Sequence, residues 1–171
     1  IIMSGNGNVH ATYTNTELSI YDRTSGTVRT SGTDFANYGI NNTEIIAMLS
    51  YDGYKVAIMS LDNNRTNILQ YNENEWTLLG SSIVTPGSSL SFSGDGSTVA
   101  IGDGDSGSVY VYRYDSNNKI WTDLNKGIGE LGNSCGVSIS LSGDGNTIAV
   151  GCPGKDGKTI IKTFNEDAGW K

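Results

Sequence analysis

The chain has 171 residues, with 18 Asp and Glu against 11 Lys and Arg, for a net charge of −7. That balance excludes nucleic acid and anionic membrane as partners, because both need a basic footprint. No apolar run approaches the ~18 residues of a membrane helix, and 23 Gly against 2 Pro call for many tight turns rather than a proline-rich linker.

One short pattern recurs along the chain at intervals of about 45 residues. The first copy opens with "SGNGN" at Ser4, continues through Ala11, and reaches Tyr21-Asp22 and then Val28. The second has "SYDGY" at Ser50, then Ala57, Tyr71-Asn72 and Trp76. "SGDGS" at Ser93 starts the third, followed by Ala100, Tyr114-Asp115 and Trp121. The fourth has "SGDGN" at Ser142, then Ala149, Phe164-Asn165 and Trp170. Each turn places Asn6, Asp52, Asp95 or Asp144 before a glycine.

Each copy reads as strands. "SISLS", "NTIAVG" and "GSVYVYRY" are short, rich in β-branched and aromatic residues, and bounded by turn residues. The Asp-Gly turns supply the positive φ of a tight hairpin. No segment sustains a 3.6-residue apolar period. Four short strands per repeat of this length predict an all-β protein, a β-propeller with four blades of about four antiparallel strands. The blades run approximately over 1–43, 44–86, 87–135 and 136–171, within one domain. The ring either closes on four blades or forms part of a larger propeller.

The stretch "CGVSISLSGDGNTIAVGCP" resembles the FG-GAP repeat of integrin-type propellers. Cys135-Gly136 stands where that family has Phe-Gly, and Gly151-Cys152-Pro153 stands at its Gly-Ala-Pro. Gly87 and Gly102 keep the matching places in the third copy, and the Ser-x-Asp-Gly pattern also looks like that of WD-repeat blades, although no Trp-Asp dipeptide is present. The resemblance implies a propeller. It does not carry over calcium binding: the family's acidic loop is reduced here to a turn with one Asp, and calcium needs six to eight oxygens. Asp52, Asp95 and Asp144 are expected to be turn residues, and no cofactor or metal is expected.

In such blades the loops joining the second and third strands share a face with the connections between blades. These segments vary: "SLDNNRTN" with Asp62 and Asn63, "GDGDSGS" with Asp103 and Asp105, and "CPGKDGK" with Lys155 and Asp156. Loops that differ on a repeated scaffold are where specificity resides, so this is the expected binding face. The Asp103–Asp105 loop reads as a solvated turn, two carboxylates being too few for a calcium cage.

Cys135 and Cys152 flank the last hairpin. Taking Ser142 opposite Gly145 puts the two cysteines face to face, which predicts a cross-strand disulfide; a pair of reduced core cysteines is the alternative. Their spacing is not that of a redox motif, and two sulfurs do not make a zinc site. Asn41 and Asn64 head glycosylation triplets. Trp76, Trp121 and Trp170 either pack between blades or stack on sugars. His10, the single histidine, lacks a partnered acid and nucleophile and reads as a core or rim residue.

The expected function is a non-catalytic scaffold that presents its variable face to a protein partner or joins a structural assembly, with homo-oligomers allowed. A lectin-like glycan-binding propeller is the alternative, and a glycoside hydrolase a weaker one, since no carboxylate pair stands in a distinctive context. The opening "IIMSGNG" shows no signal-peptide pattern, and a start at Ile1 is expected of a processed chain or an excerpt. The glycosylation triplets favour an extracellular, cell-surface or particle-surface setting.

Overall fold

The computed structural model describes residues 1–13, 18–30, 44–124, 128, 131–132, 134–154 and 157–171. Among them, seventeen strands form four antiparallel sheets. The first contains β1 (Ile2–Met3), β2 (Val9–Tyr13), β3 (Leu18–Asp22) and β4 (Thr27–Thr30). The second contains β5 (Ile45–Leu49), β6 (Lys55–Ser60), β7 (Arg65–Asn72) and β8 (Glu75–Leu78), with β9 (Ile83–Val84) added on β7. β10 (Ser89–Phe92), β11 (Thr98–Asp103), β12 (Ser108–Asp115) and β13 (Ile120–Asp123) make the third. The fourth comprises β14 (Ser138–Leu141), β15 (Thr147–Cys152), β16 (Lys158–Asn165) and β17 (Gly169–Trp170). Apart from β9 on β7, neighbouring strands within each sheet are consecutive in sequence, the order of a propeller blade.

The repeated turn is a hydrogen-bonded staple. Ser93 Oγ accepts the Thr98 N–H at 2.9 Å and donates to Asp95 Oδ1 at 2.6 Å, and the same oxygen accepts the Ser97 N–H at 2.9 Å. Ser50 with Asp52 and Ser142 with Asp144 repeat this arrangement, and Ser4 with Asn6 makes it through an amide. Gly7, Gly53, Gly96 and Gly145 close the turns at φ of 70°, 73°, 64° and 68°. A Cβ at Gly145 would also meet Thr98 of the sheet before it, so glycine serves both the backbone and the approach of the next blade.

These bonds hold Asp95 and Asp144 below their ordinary value of 3.8. Asp144 is lowered by the Ser142 hydroxyl first, then by the Asn146 N–H. For Asp95 burial pushes the other way, and the bonds from Ser93 and Ser97, helped by Lys55, outweigh it. A carboxylate with a lowered folded-state value contributes stability that is complete above the unfolded value and lost as pH falls through the folded one. The melting midpoint is therefore expected to hold from neutrality to about pH 5 and to fall below about pH 4. A midpoint unchanged across that acid range would contradict the staple's role.

Each sheet seats the next. The forward face of the first, Ala11 and Ile20, packs on Val56, Ile58 and Leu69 at the rear of the second. Ala57, Met59 and Ile68 then meet Leu90, Phe92, Val99 and Ile101 of the third, and Ala100, Val109 and Val111 meet Ile148 and Val150 of the fourth. The recurring alanine is the small residue that lets adjoining sheets close. On the turn side the backbone steps from blade to blade: Asn6 N–H donates to Tyr51 O, Tyr51 N–H to Gly94 O, and Asp95 N–H to Gly143 O, at 3.0, 2.7 and 3.3 Å.

Two expected alignments are corrected. Tyr21 lies opposite His10, the place Leu69 holds opposite Val56, so Arg23 and not Tyr21 occupies the position of Tyr71. The third strand of the first sheet has five residues where the others have eight, which puts its turn earlier. In the last hairpin Ser142 pairs with Thr147, not Gly145, because the turn spans four residues. The strands are shifted by two from the expected register, and Ser138 lies opposite Gly151.

Candidate interaction face

Cys135 and Cys152 are joined by a disulfide, with sulfurs 2.13 Å and Cα atoms 3.9 Å apart. Cross-strand pairing is not what brings them together, since Cys135 lies before β14. A turn at Ser134–Gly136, with positive φ at Ser134 (60°) and Gly136 (90°), folds Cys135 back over β15. Gly136 N–H then donates to Gly151 O at 3.0 Å. Both cysteines are buried.

Beside this bond lies a cleft of about 250 Å³, lined by Leu131, Gly132, Cys135, Cys152, Pro153, Gly154, Gly157 and Lys158. It adjoins the Asp103–Gly107 turn, because Leu131 N–H donates to Gly107 O at 2.9 Å. The variable turn of the third blade and the disulfide cleft of the fourth thus form one continuous surface. Asp103 is spent on its own turn: it accepts from the Asp105 N–H at 3.2 Å and from the Ser106 hydroxyl at 2.6 Å. Asp105 is exposed. Among the described residues no group of three His, Cys, Asp or Glu is placed to hold a metal ion.

Asp62 and Asn63 are exposed in the turn between β6 and β7, in the second blade, and Asn63 accepts the Arg65 N–H at 3.1 Å. Asn64 follows with φ 55° and an exposed side chain, while Thr66 of the same triplet is buried. Asn41, Lys155 and Asp156 lie outside the described residues.

The tryptophans sit between blades. Trp76, Trp121 and Trp170 are 8%, 8% and 3% exposed, and each packs at a tilt on the aromatic of its own blade, Tyr71, Tyr114 or Phe164. Trp121 Nε1 donates to Leu79 O at 2.8 Å and Trp170 Nε1 to Leu124 O at 2.9 Å. Each of these two indoles pins the chain leaving the preceding blade, and neither offers a free face to a sugar. His10 lies on the rear face of the first sheet, stacked on Tyr21 with ring centroids 5.0 Å apart.

Arg113 had no signal in the repeat. From β12 it reaches the fourth blade, where its guanidinium donates to Asn146 Oδ1 at 2.8 Å and Gly145 O at 3.2 Å and lies 4.8 Å from the Phe164 ring centroid. Lys55 Nζ bridges the second and third blades in the same way, donating to Asp95 O at 2.7 Å. Both clamps join the repeated turns, on the face opposite the variable loops.

No family model and no curated protein matches the chain. Solved structures do. A functionally unknown protein from Desulfotomaculum acetoxidans DSM 771 aligns with TM-score 0.69 and 14% identity over 99% of this chain and 52% of its own. The Myceliophteria thermophila Cps50 (Swd1) β-propeller domain aligns with TM-score 0.61 and 13% identity over 93% of this chain and 51% of its own. TolB from Acinetobacter baumannii gives 0.54 and 18%, over 98% and 41%. These likenesses show the fold, a β-propeller, and the chain spans about half the length of the proteins it matches.

Proposed function

We propose that the chain is a non-catalytic propeller scaffold, built of FG-GAP-like repeats without their calcium loop, whose variable-loop face binds a protein partner. The observation that carries this is the split between faces. One side is consumed by staples and clamps that hold blades together. The other presents differing turns, and two of them merge into the surface formed by Asp103–Gly107 and the cleft beside Cys135–Cys152. A disulfide persists in oxidising surroundings, which supports an extracellular, cell-surface or particle-surface placement. Glycan binding through the tryptophans is the second reading, disfavoured by their burial and by the bonds made by Trp121 and Trp170.

The test is a photo-crosslinking residue placed at Asp105, compared with one at Asn117 on the turn side, in extracts of the natural source. A defined protein adduct from position 105, absent from position 117 and weakened by Lys158→Glu, is the expected result. Equal adducts from both faces would overturn the assignment of the face, and competition by free sugars would favour the lectin.

A further inference from the structure

The staple of the second blade departs from the other three. Asn8, Ser97 and Asn146 hold the fourth place after the staple serine in the first, third and fourth blades, where the second blade has Tyr54. Its ring is 46% exposed, a large apolar surface left in water at a place that small polar residues fill elsewhere. It is also held upright: Tyr54 packs at a tilt on Tyr71, with ring centroids 6.3 Å apart, and Tyr71 packs in turn on Trp76. An exposed ring that is already propped loses little freedom when something binds against it.

Tyr54 forms one wall of a concavity of about 200 Å³ between the first and second blades, on the stapled side. Asn6, Asn8, Asp22, Thr24 and Asp52 line the rest, over the buried Val9. The Asn6 N–H, donating to Tyr51 O at 3.0 Å, sets the two turns side by side. Asp52 accepts the Ser50 hydroxyl at 2.6 Å and the Tyr54 N–H at 2.9 Å, both through Oδ1, which leaves Oδ2 to accept from a ligand. Asn6 likewise spends Oδ1 on the Ser4 hydroxyl and the Asn8 N–H, and Asn8 Oδ1 accepts from Arg23 at 3.1 Å. The Nδ2 groups of both asparagines stay as donors. Asp22, 8% exposed, is anchored by the Thr24 N–H at 2.8 Å. On the same side Lys55 and Arg113 cross the second and third junctions.

We infer that this concavity binds a neutral sugar ring. A hexose offers a C–H face that packs on an aromatic ring and an edge of vicinal hydroxyls, each both donor and acceptor. Tyr54 matches the first, and the Asp52 carboxylate with the two asparagine amides matches the second. A hydroxyl donating to a carboxylate makes the stronger, charge-assisted kind of hydrogen bond. Asp22 and Asp52 also set a charge selectivity, because uronic, sialic and sulfated sugars bring an anion against them in a chain of net charge −7. A concavity of this size takes one ring rather than the drug-sized molecule of larger clefts. The site lies away from the variable loops and uses none of the three tryptophans, so it stands apart from both readings above. Sugar bound here leaves the protein adduct at position 105 unchanged.

Saturation-transfer NMR on the 171-residue chain tests it, with lactose, cellobiose, mannobiose and chitobiose set against glucuronic acid and sialyllactose. Saturation of at least one neutral sugar and of neither acidic one is the expected result. Two variants copy residues that the repeat already uses at the same place, so both keep the staple: Asp52→Asn reproduces the turn of Asn6, and Tyr54→Ser that of Ser97. Each should weaken binding by about tenfold, through loss of a charge-assisted hydrogen bond or of the stacked ring face, with the far-ultraviolet dichroism unchanged. Failure of all the neutral sugars to bind overturns the inference. Binding that either variant leaves intact overturns it by placing the sugar elsewhere, and equal binding of the acidic sugars overturns it by removing the two carboxylates from the site.

Discussion

Replacing Trp121 with Ala is expected to destabilise the protein by about 3–5 kcal/mol. The indole is 8% exposed, packs on Tyr114 and shares a cluster with Ile83, Leu90 and Phe92. Truncation removes that burial and also orphans the Leu79 carbonyl, which accepts the indole N–H at 2.8 Å. The chain cannot collapse into the space at no cost, because the Leu79–Gly80 segment would have to follow the missing ring. Urea unfolding followed by far-ultraviolet circular dichroism measures the loss without relying on tryptophan fluorescence. Sugar stacking on Trp121 would instead leave stability nearly unchanged and abolish glycan binding. A loss under about 1 kcal/mol would contradict the packing role, since core aromatic truncations cost several times that.

Removing the disulfide with Cys135→Ser and Cys152→Ser together is expected to cost about 3 kcal/mol. The bond closes a loop between residues 17 apart in sequence, for which chain entropy alone gives roughly that figure. The loss should fall on the fourth blade first, because Cys135 enters the cluster that joins it to Ala100, Val109 and Val111. Native-state hydrogen exchange would show faster opening of β14 and β15 than of β6 and β7. Unchanged stability would mean that the Ser134–Gly136 turn holds itself.

The repeat made most of the fold legible. A Ser, an Asp or Asn and a Gly recurring with an Ala at fixed spacing specify a stapled hairpin and the small residue behind it, and both can be written down from local chemistry. Sequence failed where geometry depends on a count of turn residues. The register of the last hairpin differs by two from the one the spacing predicts, because the turn after Ser142 has four residues, a length that the letters "GDGN" do not fix. The first blade departs for a similar reason, its third strand being short, so that Tyr21 only looks like the counterpart of Tyr71.

The contacts between blades were the least legible. Arg113 reaches a residue 33 positions away and has no counterpart in the other copies, where Gln70 and Thr163 stand at its place. Repetition reveals what every blade needs and conceals what one junction needs alone. On the variable face, sequence found the loops but not that the Asp103 turn and the disulfide cleft adjoin.

The claim beneath all of this is that turns far apart in sequence stack directly on one another around a common axis. Substituting Gly94→Cys together with Gly143→Cys tests it most directly, because Asp95 N–H donates to Gly143 O and a Cβ at Gly94 would lie 3.3 Å from the Gly143 Cα. A Cβ at Gly94 presses on the Gly143 backbone and one at Gly143 meets open space, so the bond forms with a local shift of a few tenths of an ångström in the turn and only if the two turns lie against each other. Mild oxidation of the folded variant, followed by peptide mapping, is expected to yield a new 94–143 bond beside an intact Cys135–Cys152 bond, with the new bond disfavoured when oxidation is carried out in denaturant. Failure of the folded protein to form that bond, or scrambling of the new cysteines with Cys135 and Cys152, would contradict the stacked-blade arrangement.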